Sequence, residues 1–216
     1  MSIHNMWAQY GSEFLALALV HFLAVLLPGP DFAVTVRHSI RYGYLIGCLT
    51  AIGIGAGISV HVLYTLVGVG IIIQQSSWLL FSLQICGAMY LIYLGCSLLR
   101  TQPFNYAAST ENIDSLALSK WKAFMTGFMT NALNPKATLF FLAIFTTLVR
   151  PTTPMKLQIF YGVWMCVINA LWFMVVAILF SRPMVRNKFL KAGNKFEKFM
   201  GAVLIILAVK LLFTNI

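Results

Sequence analysis

Two charged side chains stand well inside otherwise apolar stretches of this chain, away from the end of a run where Lys210 falls: Asp31, in Leu27-Pro28-Gly29-Pro30-Asp31-Phe32, and Lys136, in Asn131-Ala132-Leu133-Asn134-Pro135-Lys136. A carboxylate at bilayer depth costs on the order of 2.5–3.5 kcal/mol even on a lenient insertion scale. A carboxyl group that takes up and releases a proton at such a place suits proton exchange. The structural alternative is an aspartate near the aqueous mouth of a span, since Arg37 follows within roughly 9 Å of helix. Lys136 occupies the place of Asp31 when Pro30 and Pro135 are superposed. Opposite charges at equivalent places can form a fixed ion pair that sets helix register. They can equally act as a switch, in which protonation or substrate binding at Asp31 frees Lys136 to meet a substrate carboxylate. The residues leave both readings open.

The surrounding residues predict how these charges are held. Pro28, Pro30 and Pro135 each remove a backbone donor and clash with the preceding turn. In hydrocarbon the carbonyls so freed need partners, and such breaks persist where protein or a water-filled cavity supplies them. Pro28-Gly29-Pro30, matched by Asn134-Pro135 further on, reads as a pair of breaks lining a substrate path, with a packing kink as the bland alternative. Asn134 is expected to cap freed backbone groups, and Asn131 to bind substrate or cap. Asn169 reads as an interhelical hydrogen-bond residue. His21, His38 and His61 lack metal-ligand spacing and are each expected to make a satisfied polar contact. Cys48, Cys86, Cys96 and Cys166 all lie in apolar runs without a CxxC spacing and read as small core residues. No phosphate-loop sequence and no TVGYG-type filter occurs. No nucleophile–base pair, metal cluster or paired thiol is visible, so an enzyme or a redox carrier is disfavoured, and no cofactor is implied.

The elements that must position these residues are membrane helices. The composition is 60% hydrophobic and 9% charged, where a soluble domain is about 45–50% apolar and about 25% charged. Six apolar runs, each near the roughly 20 residues a span needs, use almost the whole chain as one domain, 1–216. The spans are predicted over residues 13–36 (broken at Pro28-Gly29-Pro30), 44–73, 78–99, 123–149 (broken at Asn134-Pro135) and 157–180, with a sixth ending near Phe213. The first apolar run has no basic n-region and no cleavage site, and reads as a retained helix. The fold expected is an all-α membrane protein of six helices in two inverted three-helix repeats, about 12–99 and 122–214, joined by a loop at about 100–121. Gly87-Ala88 against Gly201-Ala202 supports the repeat, and discontinuous helices at matching places in inverted repeats point to a transport site between the halves. The glycines at 43, 47, 53, 55, 57, 68 and 70 are expected to let helices pack closely. Tyr10, Trp7, Trp78, Trp121 and Trp164 suit interfacial anchors.

The net charge of +10 follows the loops. Arg37 and Arg41; Arg100, Lys120 and Lys122; and the basic residues between Arg182 and Lys198 fall after spans one, three and five, whereas the opposite side holds Arg150 and Lys156. Basic loops stay cytoplasmic, which places both termini outside and explains the charge without nucleic acid.

The run from Leu27 to Phe32, followed by Arg37 and a glycine-rich second span, resembles the LysE/RhtB family of amino-acid exporters. Thr126-Gly127-Phe128 with Asn131 and Asn134-Pro135-Lys136 is similar to that family's fourth-span signature, and the paired motifs are nearest its threonine-efflux branch. The resemblance covers nearly the full chain. It implies a multi-pass protein of the bacterial inner membrane that exports small neutral amino acids, threonine- or homoserine-like, by proton antiport. Its partners would be the amino acid, protons and lipid, and the glycine stripe permits a homodimer. Asp31, Pro28, Gly29, Pro30, Asn131, Asn134, Pro135 and Lys136 are the candidate substrate-binding or proton-coupling residues. A passive channel or ion exporter on the same fold is the alternative.

Overall fold

Proline and glycine set where the helices begin and end. Proline is well placed at the first position of a helix, where its missing N–H needs no partner, and it turns the residue before it out of the helical region. Pro30 accordingly opens one helix behind Gly29, whose backbone is extended (φ −152°). Pro135 opens another behind Asn134, also extended (φ −79°, ψ 110°). Gly43, at φ +87°, adopts a backbone that side-chain-bearing residues rarely take, and it separates two further helices.

The computed structural model describes residues 3–26, 28–75, 77–100, 118–185, 198–199, 201–203, 205–206 and 208–209; these form helices and short connections, with no strand among them. In chain order the helices are α1 (Ile3–Val25), α2 (Pro30–Tyr42), α3 (Tyr44–Gln75), α4 (Ser77–Leu99), α5 (Lys120–Ala132), α6 (Pro135–Thr147) and α7 (Met155–Phe180). The segments 44–68 and 155–180 are each long and apolar enough to cross a membrane, and α1 with α2, bent by 55° at the break, makes a third candidate. At about 1.5 Å per residue, Tyr44–Gly68 reaches beyond the roughly 30 Å hydrocarbon thickness.

Several expectations need correction. α2 runs past Val36 to Tyr42, so Arg37 and Arg41 sit in its last turns rather than in a loop. The helix continues because Val36, His38 and Ser39 are buried on one face while Arg37 is exposed. Tyr10 is buried and donates to the Thr152 carbonyl (3.4 Å), and Trp164 packs edge-on to Phe14 at 5.3 Å. Both make contacts between helices, whereas Trp78 and Trp121 are exposed. Cys86 is exposed and the other cysteines are half-buried, and of these Cys166 packs against the core. The polar segment 101–117, the basic segment 186–197 and parts of the sixth span lie outside the described residues, as does the side chain of Trp7.

α3 is the axis on which the other helices assemble, packing on α2, α4, α5, α6 and α7. Between helices in lipid no hydrophobic force remains to be gained, and close backbone approach supplies the attraction. The glycines of α3 permit that approach. A Cβ on Gly53 would overlap the Phe124 carbonyl of α5, and one on Gly127 of α5 would overlap the Thr50 carbonyl of α3. Gly55 lies close against Cys166 and Ala170 of α7, though less tightly. Gly68, by contrast, has open space around it.

Candidate functional site

The two breaks put their charged residues at the same helical position. Asp31 is the second residue of α2 and Lys136 the second of α6. A helix N-terminus carries roughly half a positive charge. It therefore favours the Asp31 carboxylate, whereas Lys136 adds its cation to an end that is already positive. The start of α6 with Lys136 is thus a place that calls for an anion, and the start of α2 already holds one.

The two caps differ. The Asn134 side chain accepts from the Lys136 N–H (3.0 Å), which makes it the cap its sequence position predicts. Gly29 has no side chain with which to do so. Pro135 cannot donate to the Asn131 carbonyl, which instead accepts from the Asn134 N–H (2.8 Å) and from His61 Nε2 of α3 (2.8 Å). Tyr90 of α4 ties down the first turn of α6 by donating to the Lys136 carbonyl (3.0 Å). Because a carbonyl can only accept, His61 Nδ1 must accept from the Tyr64 hydroxyl (2.8 Å), which fixes the tautomer. His38 Nδ1 similarly donates to Thr50 Oγ1 (2.7 Å), whose own proton goes to the Ile46 carbonyl.

One cavity joins the breaks. Gly29, Pro30, Asp31, Asn131, Asn134 and Lys136 all line it. It offers about 70 Å³ to the centres of water-sized molecules, several times the ~10–15 Å³ that one water needs. Asn131 Nδ2 donates to Asp31 Oδ2 at 2.8 Å across 100 residues of sequence, bridging α5 and α2, and the Lys136 charge acts electrostatically on the same carboxyl group. The other carboxyl oxygen, Asp31 Oδ1, is buried without a hydrogen-bond partner among the described residues. Of the predicted residues, Pro28 and Pro135 do not line the cavity: they shape the breaks and leave the wall to their neighbours.

Two lining residues were assigned other roles by sequence. His21 of α1, 1% exposed, has neither ring nitrogen hydrogen-bonded, unlike the satisfied histidine expected there. Asn169 of α7, 5% exposed, lines the same cavity with an unpartnered Oδ1. Helices that are apolar around most of their circumference show no periodicity to mark which side faces a cavity. The only signal available was that each is a polar side chain in the middle of an apolar run.

Buried unpartnered polar atoms are rare because each costs about 1–3 kcal/mol. Among the described residues, those of His21, Asp31, Asn131 and Asn169 line one cavity beside the two breaks, the arrangement expected of a membrane transporter with discontinuous helices. The chain belongs to the LysE type translocator family, which it matches over residues 22–215. It is a multi-pass membrane protein and a transporter, not an enzyme. It is 28% identical over 192 residues to the threonine efflux protein of Escherichia coli (strain K12), covering 88% of this chain and 92% of that protein. It is 27% identical over 194 residues to a homoserine/homoserine lactone efflux protein of Salmonella typhi, with 88% and 91% covered. A membrane protein of Bacillus subtilis (strain 168), YrhP, is 27% identical over 204 residues. No solved structure matches the chain.

Proposed function

We propose that the protein exports small neutral amino acids, threonine- or homoserine-like, by proton antiport with alternating access around the two broken helices. The observation that carries this reading is the cavity shared by Asp31 and Lys136. An amino acid presents an ammonium and a carboxylate, and the cavity wall offers their complements. Asp31 Oδ1, unpartnered, receives the ammonium. Lys136 and the α6 N-terminus receive the carboxylate, at an end of the helix where an anion is favoured. When Asp31 takes a proton it releases the ammonium and weakens its hold on Lys136, which links proton uptake to substrate release. The efflux relatives support the substrate class.

The architecture proposed is six spans in two inverted repeats. Each half contributes a break with an extended N-cap residue, a proline at the first helical position and a charged residue next. The packing is reciprocal as well: α2 crosses to α7 and α6 crosses to α3, so that each half's second limb lies on the long helix of the other. The basic residues at the end of α2 and after spans three and five support a cytoplasmic side for the 1–2, 3–4 and 5–6 connections, with both termini outside the bacterial inner membrane.

The test is transport by purified protein in proteoliposomes with an imposed pH gradient. Labelled threonine should accumulate against its own gradient while the proton gradient lasts, and Asp31→Asn should lose that accumulation. Transport by the variant equal to wild type, with the same pH dependence, would refute the coupling role. Large non-saturating currents would point instead to a channel.

A further inference from the structure

We infer that His21 and Asn169 form the side-chain half of the substrate site and select an amino acid bearing a hydroxyl group over its apolar isostere. This rests on the exporter reading above and adds to it which atoms read the side chain.

The charged residues account for the two ends common to all amino acids. Asn131, whose Oδ1 is also unpartnered, lies beside Asp31 at the charged end. Away from the breaks, two further functional groups on the cavity wall come from helices that hold neither charge: His21 on α1 and Asn169 on α7. Both are more than nine-tenths buried, and His21 Nδ1, His21 Nε2 and Asn169 Oδ1 have no hydrogen-bond partner among the described residues. Rings hold the imidazole: its centroid lies 5.8 Å from that of Trp164, 6.1 Å from Phe141 and 6.4 Å from Phe140. These contacts fix the ring by packing and leave its nitrogens for something else. His61, which also stacks on Phe141, differs in spending both nitrogens on protein.

The chemistry of the free atoms restricts what can satisfy them. A neutral imidazole has one donor and one acceptor nitrogen, and an amide oxygen only accepts. An ammonium only donates and a carboxylate only accepts, so neither serves both kinds of atom. A hydroxyl does both: it accepts from the imidazole N–H and donates to Asn169 Oδ1. A methyl group in its place leaves buried donors and acceptors unpaired, and sites built to bond a hydroxyl reject analogues lacking one far more strongly than they resolve a methylene. Water has the same two capacities as a hydroxyl, but a site satisfied by water alone would not separate threonine from valine.

The experiment measures counterflow of labelled threonine in proteoliposomes holding the full chain, with unlabelled threonine, serine, 2-aminobutyrate or valine as competitors. Wild type should favour threonine over valine by roughly tenfold or more, with 2-aminobutyrate weaker than serine. His21→Phe keeps the ring packing and removes the nitrogens, and Asn169→Leu removes the amide; each should bring the threonine-to-valine ratio toward one. His21→Gln keeps a donor and an acceptor and should retain most of the ratio. Equal competition by threonine and valine in wild type overturns the inference and leaves the exporter reading standing. A wild-type ratio in His21→Phe or Asn169→Leu, with valine counterflow showing the variant to be folded, does the same. If His21→Phe does not assemble, the wild-type competition and Asn169→Leu decide. Absence of counterflow with every amino acid in wild type overturns the exporter reading, and this inference with it.

Discussion

Two carboxylates of this protein are each tied to a residue at least a hundred positions away, and they are treated in opposite ways. Glu13 of α1, 5% exposed, is fully engaged. Thr153 Oγ1 donates to its carboxyl oxygens (2.9 and 3.0 Å), the Arg150 N–H donates at 3.3 Å, and Arg150 Nε lies at 3.6 Å. These contacts fasten the start of the bundle to the turn between α6 and α7. Asp31 has one oxygen bonded to Asn131 and the other unpartnered, beside a lysine and a cavity. A carboxylate with both oxygens held serves as a rivet. One held half-satisfied in a low-dielectric cavity is poised to exchange partners, and that poise is costly to keep without a function.

The contrast can be broken in several ways. The largest effect is expected at the cavity charges. Asp31→Asn or Lys136→Met should reduce gradient-driven export by roughly a hundredfold or more, the scale on which breaking a buried charge pair is felt, while abundance in the membrane changes little. Asn131→Ala removes the donor to Asp31 and should lower export by about tenfold, since a hydrogen bond to a charged group contributes ~1.5–3 kcal/mol. Glu13→Ala should show the reverse pattern. Export per folded molecule persists, and stability in detergent falls by about 1–3 kcal/mol, most of it from Thr153 left without its acceptor. The Arg150 contribution is small because that side chain is 52% exposed. Asn134→Ala should cost about 1 kcal/mol as a lost cap and sharpen the comparison further, because the matching position in α2 is Gly29, which has no side chain to lose. Comparable export losses in Glu13→Ala and Asp31→Asn would erase the distinction between the two carboxylates.

The breaks were legible in the sequence because proline acts locally. Pro30 and Pro135 mark first helical positions wherever they occur in a helix start, and Asn134 two residues before Lys136 is a cap by the same local rule. The glycines of α3 announced close packing, although Gly53 and Gly127 find their contacts only through the α3–α5 pairing. What could not be read was which groups face one another. The Asn131–Asp31 bond spans 100 residues, and nothing in either run names its partner. Glu13 is the first residue of the first predicted span, and nothing near it in sequence shows that the turn at 150–153 packs on it and buries it. His21, His38 and His61 look alike as isolated polar residues in apolar runs. Two of them meet hydroxyl and carbonyl partners and the third meets a cavity, a difference fixed by helix rotation rather than by composition.

The central claim, that Asp31 and Lys136 act as one pair within one cavity, is tested most directly by a double-mutant cycle on gradient-driven threonine export in proteoliposomes. If the two act together, Asp31→Asn combined with Lys136→Met exports no worse than either single variant, because the second change removes a charge already left without its counterpart. Losses that multiply, with the double variant lower than each single variant by the full factor of the other, would show two independent residues and contradict the pairing.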